Sequence, residues 1–419
     1  MTDEKKPSTR EDIFSEGSIQ CPYHMHKKLR EEHGTEKEPA KLVWVEDKKT
    51  WYVMDKGLAE EVFINHRVFS SNISIYGHDV ARNFADEHVD LMITLDGEKH
   101  AKVRKAALEA FKIKEIETKW NPRAREIVQE HLDRIIEKDS FYVVKDLGVP
   151  LPVRLICEVL GIEYDNNRIQ WVRDSTEASV NFLGNAGEER FVERENAFLE
   201  KYKFELPGWI YEEIQKKKEN HGDDLLTKLI TKEYEIDGEK IKFDDFTIMK
   251  DVSLLLSAGN VTTTNLIGHA LHYLTQYPEI WSELQEQRDS ISVFVEKILK
   301  YESPVSGIYR EATEDYILGG VQIKKGEQVL LALGATGRTS ACPHRFDLSQ
   351  SKEDHLAFGK GKHLCIGRDL ARMEARVVLE EVLNTFESIK VAEDYNIEYV
   401  DWPLGRGIKE LELQYTLKK

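Results

Sequence analysis

Cys365 stands in a glycine-rich turn directly ahead of a helix, in the segment Phe358–Arg372, which reads FGKGKHLCIGRDLAR. The glycines at 359, 361 and 367 let backbone approach another object closely and supply left-handed turns. Free N–H groups at a helix start stabilise negative charge, so a thiol placed there ionises readily. A thiolate in such a loop is a soft metal ligand or a nucleophile. The nucleophile reading needs a general base and an acyl or disulfide substrate, and the spacing supplies neither. Zinc or an iron–sulfur cluster needs several cysteines together. The four here, Cys21, Cys157, Cys342 and Cys365, form no C-x-x-C pair. A haem requires one axial thiolate.

The chain, 419 residues long, is large enough to bury a core around such a group. Hydrophobic residues make up 41% and charged ones 32%, an ordinary globular composition. A net charge of −17 speaks against nucleic acid as the main partner and favours solubility. Residues 1–20 read as a polar, partly disordered arm, and 21–419 as a single domain. The first residues hold no apolar stretch that could be a signal peptide, and no run suits a transmembrane helix. With scattered cysteines, this predicts a cytoplasmic protein away from the membrane.

Leu42–Val53 (LVWVEDKKTWYV) predicts two short strands around a turn at Glu46–Lys49. Apolar spacings of three and four predict helices over His100–Phe111, Pro122–Ile136, Val153–Leu160 and Leu225–Ile230. Gln215–Asp224 reads as a charged loop or fraying helix end, with Asp223 and Asp224 suited to the next helix start. Asp245–Leu274 predicts a long helix, apolar nearly all round at VSLLLSAGNV and therefore buried. Residues 316–334 predict short strands with a Gly319–Gly320 turn, and 335–357 an irregular loop. A last helix is predicted over Ile366–Phe386, with strands in the tail.

The pattern F-G-x-G-x-H-x-C-x-G-x-x-L-A-R around Cys365 resembles the haem-binding signature of the cytochrome P-450 (P450) family, in its soluble bacterial form, at every defining position. The likeness spans about residues 20–415 and includes PLPVRLICEVLGI (Pro150–Ile162) and Trp51–Ser71. It implies that family's fold: mainly α, a single helical domain with small β-sheets and a buried haem b. It makes Cys365 the iron ligand, with Phe358 and Gly359 in the cofactor loop and His363 meeting a propionate. DGEKHAKVR (Asp96–Arg104) resembles the helix whose His and Arg bind propionates, which gives His100 and Arg104. PVSGIYREA (Pro304–Ala312) resembles the strand that adds Arg310. Charge-assisted bonds from such residues suit a buried anionic cofactor.

Ala258, Gly259 and Thr262 share one helix face, being three and four apart. Small side chains at 258 and 259 leave room for haem and a diatomic ligand. AGNVTTT resembles the family's oxygen-activating stretch, so these three are the catalytic candidates. The resemblance implies insertion of one oxygen atom into a small lipophilic substrate. Electrons would come from NAD(P)H through a reductase and a ferredoxin or flavodoxin, because the chain itself has no flavin or iron–sulfur module. The pocket would be lined by Ile75–Phe84, the region near Phe182, Leu255–Ala258, Val305–Ile308 and Leu404, which are mostly apolar. Lys360, Lys362, Arg368 and Arg372, with Lys102 and Lys105, are a candidate dock for an acidic redox partner.

Two departures stand out. The family carries an acid before its threonine, where this chain has Val261, which cannot relay a proton. The family's Glu-x-x-Arg pair aligns with Lys297 and Lys300, and a third member with Gln350. Glu296 is one residue off, about 100° round a helix, and Asp347 or Glu302 is the expected substitute partner. Val261 motivates a rival reading, a peroxygenase, dehydratase or isomerase. The lost network motivates another, a non-catalytic haem or ligand binder. Cys21, His24 and His26 (CPYHMH) make only a weak metal motif. Cys157 reads as core and Cys342 as incidental.

Overall fold

The apolar run VSLLLSAGNV lies inside one helix, Asp245–Gln276, buried on most sides. Asp244 caps it, its carboxylate accepting from the Thr247 N–H at 2.7 Å, which satisfies one of the free amides of a helix start. Two polar groups within the packed part find partners across the helix interface. Thr264 Oγ1 donates to the Gly148 carbonyl at 2.6 Å, and Asn260 Nδ2 donates to Thr176 Oγ1 at 2.9 Å. Helices packed on this central one include Pro150–Leu160, Asn166–Gly184, Glu205–Glu219 and Arg368–Thr385.

The structure is a computed structural model that describes residues 7–35, 38–72, 91–184, 205–236, 238–338, 346–348 and 354–419. It divides into two compact units. One comprises residues 90–295, 366–397 and 407–419. It holds the central helix and a three-stranded sheet in the order Phe386–Val391, Glu412–Leu417, Ser140–Tyr142. The other comprises residues 1–89, 296–365 and 398–406. Its six-stranded sheet runs Ser8–Thr9, Leu42–Val45, Thr50–Val53, Gln328–Leu331, Ile308–Ala312, Phe69–Ser70. Alternate residues Trp51, Val53, Val329 and Leu331 are fully buried and pack with Val62 and Phe63 of the Lys56–Ile64 helix. Each such side chain contributes roughly 1.5–3 kcal/mol by leaving water.

The expected strands at 42–53, the Gly319–Gly320 turn and the four short helices are present within a few residues. Asp224 caps Leu225–Thr231, accepting from the Thr227 N–H at 2.8 Å. The charged segment from Gln215 mostly continues the Glu205–Glu219 helix. Three expectations need correction. Within the polar arm, Ser8–Thr9 pairs parallel with Trp44–Val45, and Ile13, Phe14 and Ile19 are buried. Three apolar side chains in a polar stretch were enough to anchor it. The last helix starts at Arg368 with Gly367 as its cap, so Cys365 precedes it by a short turn. Leu333–Gly337, across the junction of the expected strands and the expected irregular loop, is helical.

One buried acid has a measurable consequence. Asp251, 7% exposed, sits on the central helix near Val103, Ala106, Leu229 and Leu255. Burial pushes its carboxyl up to about 7, against the opposing effects of the Lys250 ammonium and the Met92 N–H. The folded state therefore holds this proton more tightly than the unfolded chain does. Its contribution is complete below the ordinary value of 3.8 and is lost as pH rises through about 7. Asp251→Asn should gain up to about 4 kcal/mol over the parent at pH 8 and nothing below pH 4. Denaturant titrations of both proteins at the two pH values check this; a pH-independent difference would contradict it.

Candidate functional site

Two glycines shape the loop that ends at Cys365. Gly359 and Gly361 have φ of 69° and 72°, a region costly for residues with a Cβ. At Gly361 a Cβ would fall 2.7 Å from the Phe63 carbonyl oxygen, and at Gly359 3.6 Å from the Phe63 ring. The loop thus lies directly on the end of the Lys56–Ile64 helix. The Cys365 N–H donates to the Phe358 carbonyl at 2.9 Å, and Gly361–His363 makes a single 3-10 turn. Phe358, His363 and Cys365 are half-buried. Arg310, 5% exposed, has its guanidinium 5.5 Å from the Phe63 ring centroid and donates to the Tyr309 carbonyl at 2.7 Å. The Phe63 ring and carbonyl therefore join Arg310 to the glycine loop.

Upstream, His355 Nδ1 accepts from the Ala357 N–H at 3.2 Å while its Nε2 meets Glu296 at 3.1 Å. Glu296, one residue off the family position, thus braces the chain leading into the cysteine loop. Lys297 is buried, and the Lys300 ammonium lies 5.8 Å from the Tyr301 ring centroid. Gln350, Cys342 and Ile75–Phe84 lie outside the described residues, as does the side chain of Phe182. Of the two expected substitute partners, Glu302 is found in a buried ion cluster: it meets Arg338 at 2.5 Å and Arg406 at 3.1 Å. Sequence reasoning missed both arginines. The signal available was a lone charge between glycines in PLGRGI.

In the other unit, Ala258 is exposed and Gly259, Val261 and Thr262 are half-buried, although residues 254–257 and 263–271 are buried. A Cβ at Gly259 would meet only Ile156, at 3.8 Å. The central helix thus presents a small-residue strip where its neighbours are packed. Thr262 Oγ1 donates to the Ala258 carbonyl at 2.9 Å. The hydroxyl proton is spent on the helix's own backbone, a common threonine habit. The oxygen still offers lone pairs as acceptors. His100, buried, and Arg104, half-buried, lie four apart on the Gly97–Ala107 helix. Among the candidate basic residues, Lys360 pairs with Glu60 at 3.0 Å, Lys105 donates to the Glu235 carbonyl at 2.6 Å, and Lys362 is exposed.

The weak motif at Cys21, His24 and His26 holds no metal cluster. His26 Nε2 lies 2.9 Å from the Tyr52 hydroxyl, and burial with nearby arginines lowers its pKa to about 3. Among the described residues no group of three or more His, Cys, Asp or Glu side chains could hold a metal ion. Cys157 is core, its thiol pushed up to about 12 by burial. Among the described residues no helix is long and apolar enough to cross a membrane.

A model of the family described as Cytochrome P450 matches residues 196–298 and 291–414. The chain belongs to the cytochrome P450 family. It is 29% identical over 415 residues to Cytochrome P450 109 of Bacillus spizizenii, covering 97% of this chain and 95% of that one. It is 31% identical over 345 residues to the 6-deoxyerythronolide B hydroxylase of Saccharopolyspora erythraea, covering 81% and 80%. The crystal structure of CYP109E1 from Bacillus megaterium in complex with corticosterone superposes with a TM-score of 0.78 at 26% identity, covering 94% of this chain and 98% of that one. This P450 is a haem b monooxygenase with the mainly α fold of its family. The chemistry of the donor set fits that cofactor: one thiol in a glycine cradle for the iron, and histidine and arginine side chains for propionates.

Proposed function

We propose that Cys365 holds the haem iron through its thiolate, and that this P450 inserts one oxygen atom into a small lipophilic molecule. The observation that carries the reading is the cysteine loop, folded by Gly359 and Gly361 onto Phe63. When bound, haem with a thiolate ligand supplies the activation of dioxygen and oxygen-atom transfer. The residues of this chain do the rest. Phe358 and Gly359 form the loop that carries the sulfur. His100, Arg104, Arg310 and His363 would donate charge-assisted bonds to propionates. Ala258 and Gly259 keep the central helix thin where the cofactor and substrate must approach.

Thr262 Oγ1, its own proton held by the Ala258 carbonyl, accepts a hydrogen bond from a water and so fixes a proton donor beside the small-residue strip. Val261 contributes no proton, so that water comes from solvent. Thr262→Ala should therefore leave substrate affinity unchanged while product formed per NAD(P)H consumed falls about tenfold or more. Stoichiometry of cofactor oxidation against product checks it, and an unchanged ratio would contradict it.

Electrons are supplied by a separate ferredoxin or flavodoxin with its NAD(P)H reductase, for whose acidic surface Lys360, Lys362, Arg368 and Arg372 are the candidate contacts. The structural relative solved with corticosterone and the apolar character of Val305, Ile308 and Leu404 favour a lipophilic substrate, such as a steroid-sized ring system. The test is turnover of a lipophilic library by haem-loaded protein with oxygen and a ferredoxin system, against hydrogen peroxide alone. Product only in the first arm is expected; product only with peroxide would overturn the reading.

A further inference from the structure

Three buried charges meet at Glu302. The residue is 4% exposed, as is Arg338, and Arg406 is 5% exposed. Glu302 Oε1 accepts from Arg338 Nη2 at 2.5 Å, while Oε2 accepts from Arg406 Nε at 3.1 Å and from the Tyr23 hydroxyl at 2.7 Å. Arg338 lies 3.6 Å from the Tyr23 ring centroid, and Arg406 lies 3.4 Å from that of Tyr399. Arg406 Nη1 also donates to the carbonyls of Ile19 and Gln20, at 3.2 and 2.8 Å. Desolvating such a group is expensive, and a buried ion pair is weak evidence for stability. Its best-attested use is to fix register.

A register to fix lies next to it. The Arg406 N–H donates to the Pro304 carbonyl at 3.0 Å, Val305 bridges Gly405, and the Ser306 and Gly307 N–H groups both donate to the Leu404 carbonyl, at 2.9 and 3.3 Å. Residues 304–307 and 404–406 thus form a very short antiparallel ladder, and Glu302, two residues ahead of it, holds Arg406 at its end by a side-chain ion pair. A ladder this short has little of its own to oppose a slip, and a slip of one residue turns every side chain to the other face. Contact is tight as well: a Cβ on Gly307 would fall 3.1 Å from Leu404 and 3.0 Å from Leu330.

We propose that Glu302, gripped by Arg338 and Arg406, is a specificity-determining positioning residue that pins the register of this ladder and so fixes which faces of Val305, Ile308 and Leu404 the substrate meets. The inference rests on the reading above that these three residues line the substrate pocket. Glu302 acts through the chain segments that Arg406 joins.

The test compares the haem-loaded parent with Glu302→Gln, Arg406→Lys and Leu404→Ala. Glu302→Gln keeps shape and acceptor while removing charge; Arg406→Lys keeps charge while removing the forked geometry. Two readouts are taken: amide hydrogen exchange at Ser306 and Gly307, and dissociation constants for a set of lipophilic ligands of graded width. Both pin variants should speed exchange at these two amides but not at Val329–Leu331. They should also reorder the ligand series, weakening the best ligand roughly tenfold. Unchanged exchange and ligand order, with only a lower melting temperature, would overturn the proposal, because a purely structural role predicts that outcome. Should Glu302→Gln not fold, the same two outcomes are read from Arg406→Lys. Leu404→Ala separates the underlying reading: if it leaves every ligand affinity unaltered, those residues do not line the pocket, and the specificity role fails with that reading even where faster exchange upholds the pin.

Discussion

Cys365→Ala should yield a protein with its helical content intact and monooxygenation reduced on the order of a thousandfold or more. Cys365 is only half-buried, so losing its sulfur opens no core cavity and the chain itself loses little packing. What it removes is the one soft anionic ligand that the glycine loop presents. Metal binding to the folded state alone stabilises by mass action, so the variant should also lose the rise in melting temperature that haem gives the parent. Turnover with a ferredoxin system, haem content after purification and far-UV circular dichroism check the three parts. A variant that turns over at the parent rate would place the iron on another residue.

Gly361→Ala should be the most damaging single-methyl substitution in the loop. With φ at 72°, a Cβ costs roughly 1–2 kcal/mol in backbone strain alone. Here the methyl would also meet the Phe63 carbonyl oxygen at 2.7 Å, a backbone atom that cannot swing away. The loop must lift from the helix it lies on, and haem occupancy should fall about tenfold with it. Gly320→Ala is the matched control: φ is 84°, yet nothing lies within 4 Å of the added Cβ. It should show the strain and keep its haem. Equal effects at both positions would mean that close approach to Phe63 plays no part.

Much of this architecture was legible because local and global signals agree. The central helix is apolar nearly all round, and only burial suits such a pattern. The cysteine loop carries glycines at the positions where positive φ is required. What stayed hidden depends on contacts distant in sequence. Glu302, Arg338 and Arg406 come from three separate segments, and nothing within any one of them announces the other two. Asp251 was visible as an acid inside IMKDVSLLL, but that it lies buried among apolar side chains emerges only from the folded chain. Within the polar arm at residues 1–20, the anchors Ile13, Phe14 and Ile19 are few, and pairing with Trp44–Val45 lies beyond local pattern. The Thr262 hydroxyl turns back to the Ala258 carbonyl, a choice that rotamer freedom hides from sequence.

The absorption spectrum of the purified protein, ferric and then reduced under carbon monoxide, tests the central claim most directly. Thiolate ligation from Cys365 is expected to give the strongly red-shifted Soret band peculiar to a haem with sulfur opposite carbon monoxide, and Cys365→Ala should lack it. A colourless preparation from haem-supplemented cells, or the shorter-wavelength band of a histidine-ligated haem in the parent, would contradict it.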